Sequence, residues 1–302
     1  MKQTDIQIKG IVYLLITIAV LAAGLILIRF YLNSPETEEE YSMKKVISKD
    51  GTEIGFVKRG NGPPLLLVHG TTADHSRWNP IIPYFENQFT VYAIDRRGRG
   101  MSSDSPDYSL YKEAEDIAAV VESINKPVFV LGHSHGAVAS LEASLLTDKI
   151  KKLILYEPPL PLGPPAYPPG VPEKMQALID SNRNEDALEV FFKEVVKMPD
   201  YEFEKYSKLP VYQRRIELAL TIPRELTLGL IYSFNSEKFT NLQTPVLLML
   251  GGDSPGLFKK AIRVLDETLP DSRVLIMPGQ QHIAMDTDPE MFVREVNKFL
   301  IE

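Results

Sequence analysis

The chain has 302 residues, 44% of them hydrophobic, with a formal charge of −7. That length suits one large α/β domain carrying an insertion, and the apolar fraction supplies a sizeable core. The acidic balance, without a basic stripe to neutralise phosphates, argues against nucleic acid as a partner. The absence of cysteine excludes a disulfide scaffold, a thiol nucleophile and a cysteine-linked lipid.

Residues 11–28 form an uncharged apolar run. As a helix rising about 1.5 Å per residue it would extend roughly 27 Å, close to the hydrocarbon thickness of a bilayer. No convincing small-residue cleavage site follows it, so residues 1–33 are expected to be an uncleaved single-pass transmembrane anchor. Lys2 and Lys9 precede the run, while Arg29 and then Glu36, Glu38, Glu39 and Glu40 follow. The small basic excess favours an inside N-terminus and a large domain outside the cytoplasm. Residues 34–43 read as a polar linker.

Residues 44–48 and 53–57 alternate around Asp50-Gly51, a hairpin signal. Residues 64–68 are a continuous apolar run, as a strand buried on both faces would be, and it ends in His69-Gly70-Thr71-Thr72. His75 to Phe85 is expected to be helical, with Trp78 in the core. Residues 89–94 predict a strand ending in Asp95-Arg96-Arg97-Gly98-Arg99-Gly100. No Gly-Lys-Ser/Thr follows, so this is no phosphate loop, and an ion-pair loop is the expected use of the arginines. Ser109 should cap a helix through Ile124.

Residues 127–131 predict a buried strand, followed by Gly132-His133-Ser134-His135-Gly136 and a helix start. This is Gly-x-Ser-x-Gly in its strand–turn–helix setting, the nucleophile elbow. A serine there sits on a strained turn, glycines at −2 and +2 admit close backbone, and the next helix points its positive end at the site.

Residues 152–156 predict another strand, ending at Glu157. Proline-rich chain continues to Pro172, and from Glu173 to Asn235 the pattern is helical, with Pro199, Pro210 and Pro223 dividing it into about four helices. Phe191, Phe192, Tyr232 and Phe234 are candidates either for a pocket or for the packing of these helices. Residues 244–250 resume the strands and end in Gly251-Gly252-Asp253-Ser254-Pro255. Residues 273–277 predict the last strand, and His282 lies between it and a final helix capped by Asp288.

His69-Gly70, the Asp95–Gly100 loop and the elbow together resemble the α/β-hydrolase superfamily, over about residues 44 to 302. The esterase, cofactor-free haloperoxidase and C–C hydrolase-like branch is most similar. The resemblance implies a mostly parallel eight-stranded α/β sheet, with core segments 44–157 and 244–302 and a helical cap at 158–243. It implies a triad in chain order Ser134, Asp253, His282. Asp253 also reads as a helix N-cap, and Glu157 is the second candidate acid. The backbone N–H groups of Thr71 and His135 would form the oxyanion hole. No metal and no cofactor is implied, since His133 and His135 would point apart on the turn. Serine at 134 argues against the aspartate-nucleophile branches of the superfamily.

The expected function is cleavage of an ester or related acyl bond in a small molecule through an acyl-enzyme. A C–C bond hydrolase, a peptidase or a perhydrolase would use the same triad. A small-molecule binding receptor with slow turnover is the reading from another class. Oligomeric state stays open.

Overall fold

Strands form where apolar runs end at turn residues. The computed structural model describes residues 42–302 apart from residues 166 and 199. The expected membrane span at residues 11–28 lies outside them. Among the described residues no helix is long and apolar enough to cross a membrane.

The strands are β1 (Ser42–Ile47), β2 (Glu53–Arg59), β3 (Pro64–Val68), β4 (Thr90–Ile94), β5 (Val128–His133), β6 (Ile150–Tyr156), β7 (Val246–Gly251) and β8 (Ser272–Met277). They make one eight-stranded sheet in the order β1-β2-β4-β3-β5-β6-β7-β8. β1–β2 and β2–β4 pair antiparallel, and every later pairing is parallel. β3, β5 and β7 are buried along their whole length, which explains their unbroken apolar sequences.

The period-two rule divides the core between the faces of the sheet. Leu66, Val68, Val130, Leu153, Leu155 and Leu248 face one side. They meet α2 (Leu110–Ile124), α3 (His135–Ala143) and α9 (Gly256–Thr268). Leu65, Leu67, Leu131, Ile154 and Met249 face the other, against Trp78, Phe85 and α11 (Pro289–Ile301). Ser109 caps α2 by accepting from the Lys112 N–H, and Asp288 caps α11 through Met291. The continuous helix expected over 75–85 is instead a 3-10 turn at His75–Trp78 and a four-residue helix α1 at Ile82–Phe85. Pro80 and Pro83 break the pattern, because proline lacks the N–H an interior turn needs.

Between β6 and β7 lie α4 (Val171–Asp180), α5 (Asn184–Val190), α6 (Asp200–Tyr206), α7 (Pro210–Glu217) and α8 (Ile222–Ile231). α5 runs on into a π turn over Phe191–Val195. Pro210 and Pro223 open α7 and α8, where a missing N–H costs nothing. A further break, between α4 and α5, needs no proline: Asn182 takes φ 58° there. This insertion packs a core of its own around Met175, Leu188, Phe191, Phe192, Phe203 and Tyr212.

Its ties to the sheet domain include several ion pairs. Glu225 on α8 accepts from both Arg96 and Arg99, and all three side chains are buried. Arg214 pairs with Asp74, and Arg224 with Asp104 at 2.7 Å. Arg96 also binds Glu113, at 2.7 Å, and Arg97 binds Asp116, at 2.7 Å. The arginines after β4 thus form an ion-pair loop. Burial alone would raise the Glu225 pKa, but Arg96 and Arg99 outweigh it and hold the carboxyl at about 2.

Removing one partner of a buried pair leaves an uncompensated charge, so Glu225→Ala should cost about 3–5 kcal/mol. Urea unfolding of the full chain checks this. A loss below about 1 kcal/mol, the range of exposed pairs, would show that the network does not hold the insertion in place.

Candidate active site

The elbow forms because two glycines leave room for it. A Cβ on Gly136 would lie 2.3 Å from the His69 carbonyl oxygen, and one on Gly132 would lie 2.6 Å from Ala137 Cα. Between them Ser134 takes φ 54° and ψ −127°, outside the regions open to ordinary side chains. Its N–H donates to the Tyr156 carbonyl at 2.9 Å, tying the strained residue to the end of β6. Ser134 precedes α3, so the His135 N–H belongs to the first helical turn and has no partner within the helix. The His69-Gly70-Thr71-Thr72 loop lies against the elbow, since a Cβ on Gly70 would come within 2.8 Å of Ser134 Cβ.

His282 reaches this place from the loop after β8. Its Nδ1–H donates to Glu157 Oε2 at 2.6 Å, which leaves Nε2 as the nitrogen able to accept a proton. Phe258 stacks on the ring with centroids 4.5 Å apart and planes at 15°. The His133 ring lies 4.6 Å away, and His133 Nε2–H donates to the His282 carbonyl at 2.9 Å. The Tyr156 hydroxyl pins the same loop, accepting from the Ala284 N–H at 3.0 Å and donating to the Gln281 carbonyl. The residue just before the serine and the residue just before Glu157 therefore both hold the histidine.

Glu157, expected only as a second candidate, is the carboxylate on His282. It is fully buried at the end of β6, with φ 48°. Oε1 accepts from the Gly251 N–H at 2.7 Å and from Ser254 Oγ at 2.5 Å. The expectation for Asp253 is corrected here: its side chain is exposed, and His282 Nδ1 is taken by Glu157. The Asp253 N–H donates to the Gln280 carbonyl. The turn after β7 thus supplies donors to the carboxylate at the end of β6 rather than the carboxylate on His282. Asp253 does not cap the next helix either, whose N-cap is Pro255.

Three of the six non-glycine residues with positive φ among the described residues are Thr72, Ser134 and Glu157. Such conformations cost about 1–3 kcal/mol each and persist where surrounding contacts over-determine them. Their convergence makes this end of the sheet the candidate site.

The neighbouring histidines are structural. The Arg96 N–H donates to His69 Nε2 at 3.1 Å, so the proton sits on Nδ1, which donates to the Gly70 carbonyl at 2.8 Å. Burial, reinforced by Arg96 and Arg99, lowers the His69 pKa to about 3. Burial and the adjacent His282, with Arg77 and Arg215, hold the His133 pKa well below its ordinary value. His135 turns its ring the other way, to within 3.4 Å of Glu113. Among the described residues two clusters carry metal-ligand residue types, Asp74–His75–Asp95 and Glu113–His135–Glu225. Arginines already occupy them: Arg214 binds Asp74, and Arg96 binds both Glu113 and Glu225. Of the aromatic candidates, Phe191 and Phe192 pack within the insertion core. Tyr232 donates to Glu142 at 2.6 Å, and Phe234 stacks on Phe239.

Known proteins agree with this fold. A model of the alpha/beta hydrolase family matches residues 65–295. The chain belongs to the α/β-hydrolase family. This α/β hydrolase is 32% identical to an α/β hydrolase of solved structure from Sphaerobacter thermophilus, with a TM-score of 0.72 over 79% of this chain and 94% of that one. It superposes on an esterase from Rhodococcus sp. ECU1013 with a TM-score of 0.71 at 24% identity, covering 86% of this chain and 99% of the other. A curated relative, 2-(acetamidomethylene)succinate hydrolase of Mesorhizobium japonicum, is 23% identical over 261 residues, 80% of this chain and 90% of the relative.

The two carboxylates separate cleanly in an experiment. Glu157→Gln should lower kcat on a p-nitrophenyl ester by about 10²–10⁴-fold, as loss of a histidine-orienting acid does elsewhere. Asp253→Asn should leave it near the wild-type value. A loss of that size in Asp253→Asn, with Glu157→Gln near the wild-type value, would return the acid role to position 253.

Proposed function

We propose that this α/β hydrolase is a membrane-anchored serine hydrolase that cleaves an ester or related acyl bond in a small molecule. The observation that carries the reading is a strained, partly exposed Ser134 whose neighbour His133 packs 4.6 Å from the His282 imidazole, itself bound through Nδ1–H to a buried carboxylate. Ser134 Oγ attacks the acyl carbonyl while His282 Nε2 takes its proton. Glu157 keeps the imidazole in the tautomer that can accept, and stabilises the imidazolium that results. The Thr71 and His135 N–H groups stabilise the oxyanion, each contributing about 3 kcal/mol to the transition state. His282 then protonates the leaving group, and water delivered through the same base frees the acid and restores the serine.

The substrate is an acyl compound small enough to lie between the sheet domain and the insertion, which plays the part of a cap over residues 158–243. Support for the acyl class comes from the esterase and the 2-(acetamidomethylene)succinate hydrolase among the similar proteins. The apolar run at 11–28 supports an N-terminal anchor at residues 1–33 and a linker at 34–43, with the hydrolase held at a membrane outside the cytoplasm.

The full chain in mild detergent should label with a fluorophosphonate probe, and Ser134→Ala should abolish the label. A folded wild-type chain that neither labels nor turns over p-nitrophenyl esters would refute serine catalysis and favour a binding role. The anchor is tested separately. The expressed protein should sediment with membranes and resist carbonate extraction, whereas recovery in the carbonate-soluble fraction would overturn it.

A further inference from the structure

Arg215, on α7 of the insertion, stands apart from the other inner arginines. Arg77, Arg96, Arg97, Arg99 and Arg214 each meet a carboxylate. Arg215 meets none among the described residues. Its Nη1 donates to Thr72 Oγ1 at 2.5 Å, and its Nε is buried without a hydrogen-bond partner. The nearby carboxylates are engaged: Asp286 by Arg77 at 2.7 Å, and Asp74 by Arg214. A guanidinium taken out of water without an anion is costly, and burial indeed lowers the Arg215 pKa.

Other unsatisfied donors gather around it. The Tyr206 hydroxyl is buried without a partner, and the Arg215 guanidinium carbon lies 5.5 Å from the Tyr206 ring centre. Arg77 Nε is buried and unpartnered as well. Thr72 follows Thr71 in the loop that lies against Ser134. Unpaired donors from the insertion therefore reach Thr72, in the loop that lies against Ser134, where an anionic acceptor would satisfy them.

We infer that Arg215, assisted by the Tyr206 hydroxyl and Arg77, is a carboxylate-binding subsite, so that the preferred substrates are acyl compounds carrying a free carboxylate near the scissile bond. The inference rests on the serine-hydrolase reading and narrows its substrate class. A guanidinium suits this task because its planar fork matches a carboxylate's two oxygens. The carboxylate also binds insertion and sheet domain at once, so a neutral analogue loses its orientation at Ser134 along with the charge pairing.

The test compares monomethyl succinate, which carries one carboxylate, with neutral dimethyl succinate, using the full chain in mild detergent. The readout is the ratio of their kcat/KM values. The wild type should favour the monoester about 10-fold or more, in line with a hydrogen bond to a charged group. Arg215→Gln should lose most of that preference, Arg215→Lys should restore part of it, and exposed Arg183→Gln should keep the wild-type ratio. Should Arg215→Gln not fold, Tyr206→Phe is read in its place and should reduce the preference. Succinate binding to Ser134→Ala by calorimetry requires no turnover. Succinate binding that Arg215→Gln weakens, without hydrolysis of either ester, would sustain the subsite and refute the reaction. Hydrolysis of both esters with no monoester preference, or a preference unchanged in the Arg215 and Tyr206 variants, would overturn the subsite and leave the reaction standing.

Discussion

Arg96 is the group on which the rest of the site depends. Its backbone N–H sets the tautomer of His69, and its Nη1 donates to the Gly70 carbonyl at 3.1 Å, holding the loop that faces the serine. Its other nitrogens bind Glu113, which lies beside His135 at the start of α3, and Glu225 on the insertion. One guanidinium thus joins the loop that faces Ser134, the carboxylate beside the helix that follows it, and the insertion. Five donors in one plane make this possible, and no other side chain offers them. The charge is affordable in the interior because two carboxylates meet it, and both are held well ionised by the same arginine.

The strain follows from this framework. Thr72, Ser134 and Glu157 each adopt a backbone conformation that an isolated chain would avoid. Thr72 is held by Arg215, Ser134 by the Tyr156 carbonyl, and Glu157 by its N–H to the Met249 carbonyl at 3.1 Å. Two of these contacts cross between neighbouring parallel strands at their C-terminal ends. The sheet is therefore both the core of the domain and the template that keeps Ser134 in a sparsely populated geometry. Hydrophobic burial along β3, β5 and β7 supplies the rigidity, because these strands are covered on both faces and packed along their whole length.

Much of this was legible in the chain. The unbroken apolar runs gave the parallel strands, since only a sheet covered on both faces wants them. The elbow was legible because its glycines serve a steric need that other residues cannot meet. His282 stood out because it is the one histidine in the C-terminal half. The acid was harder. β6 and β7 are adjacent and parallel, and each ends in a run containing a carboxylate, Glu157 and Asp253. Nothing in the linear pattern says which side chain turns inward. What decides it is the positive φ at Glu157 and the donors at Gly251 and Ser254, which are tertiary facts. The break of the helix at 75–85 was written in Pro80 and Pro83, where apolar spacing carried more weight than it should have. The turn at Asn182 carried a weaker mark, because asparagine tolerates the left-handed region without requiring it.

The placement of the acid on β6 has a consequence for how the site is built. Adjacent strands lie about 4.8 Å apart, so a carboxylate on β6 and one on β7 approach the same imidazole from different columns of the sheet. With glutamate on β6, the end of β7 is released from supplying the acid and becomes its support, through one backbone N–H and one hydroxyl. The His282 loop is then gripped from β5 by His133, from β6 by Tyr156 and Glu157, and from α9 by Phe258. None of these grips comes from the insertion. The insertion instead reaches the serine's surroundings through Arg215 and Thr72, and the sheet domain through Glu225. The His282 imidazole and the surroundings of Thr72 are in this way held by separate sets of contacts, so outside Glu225 and its ion-pair partners the insertion can vary in sequence without disturbing the grip on His282.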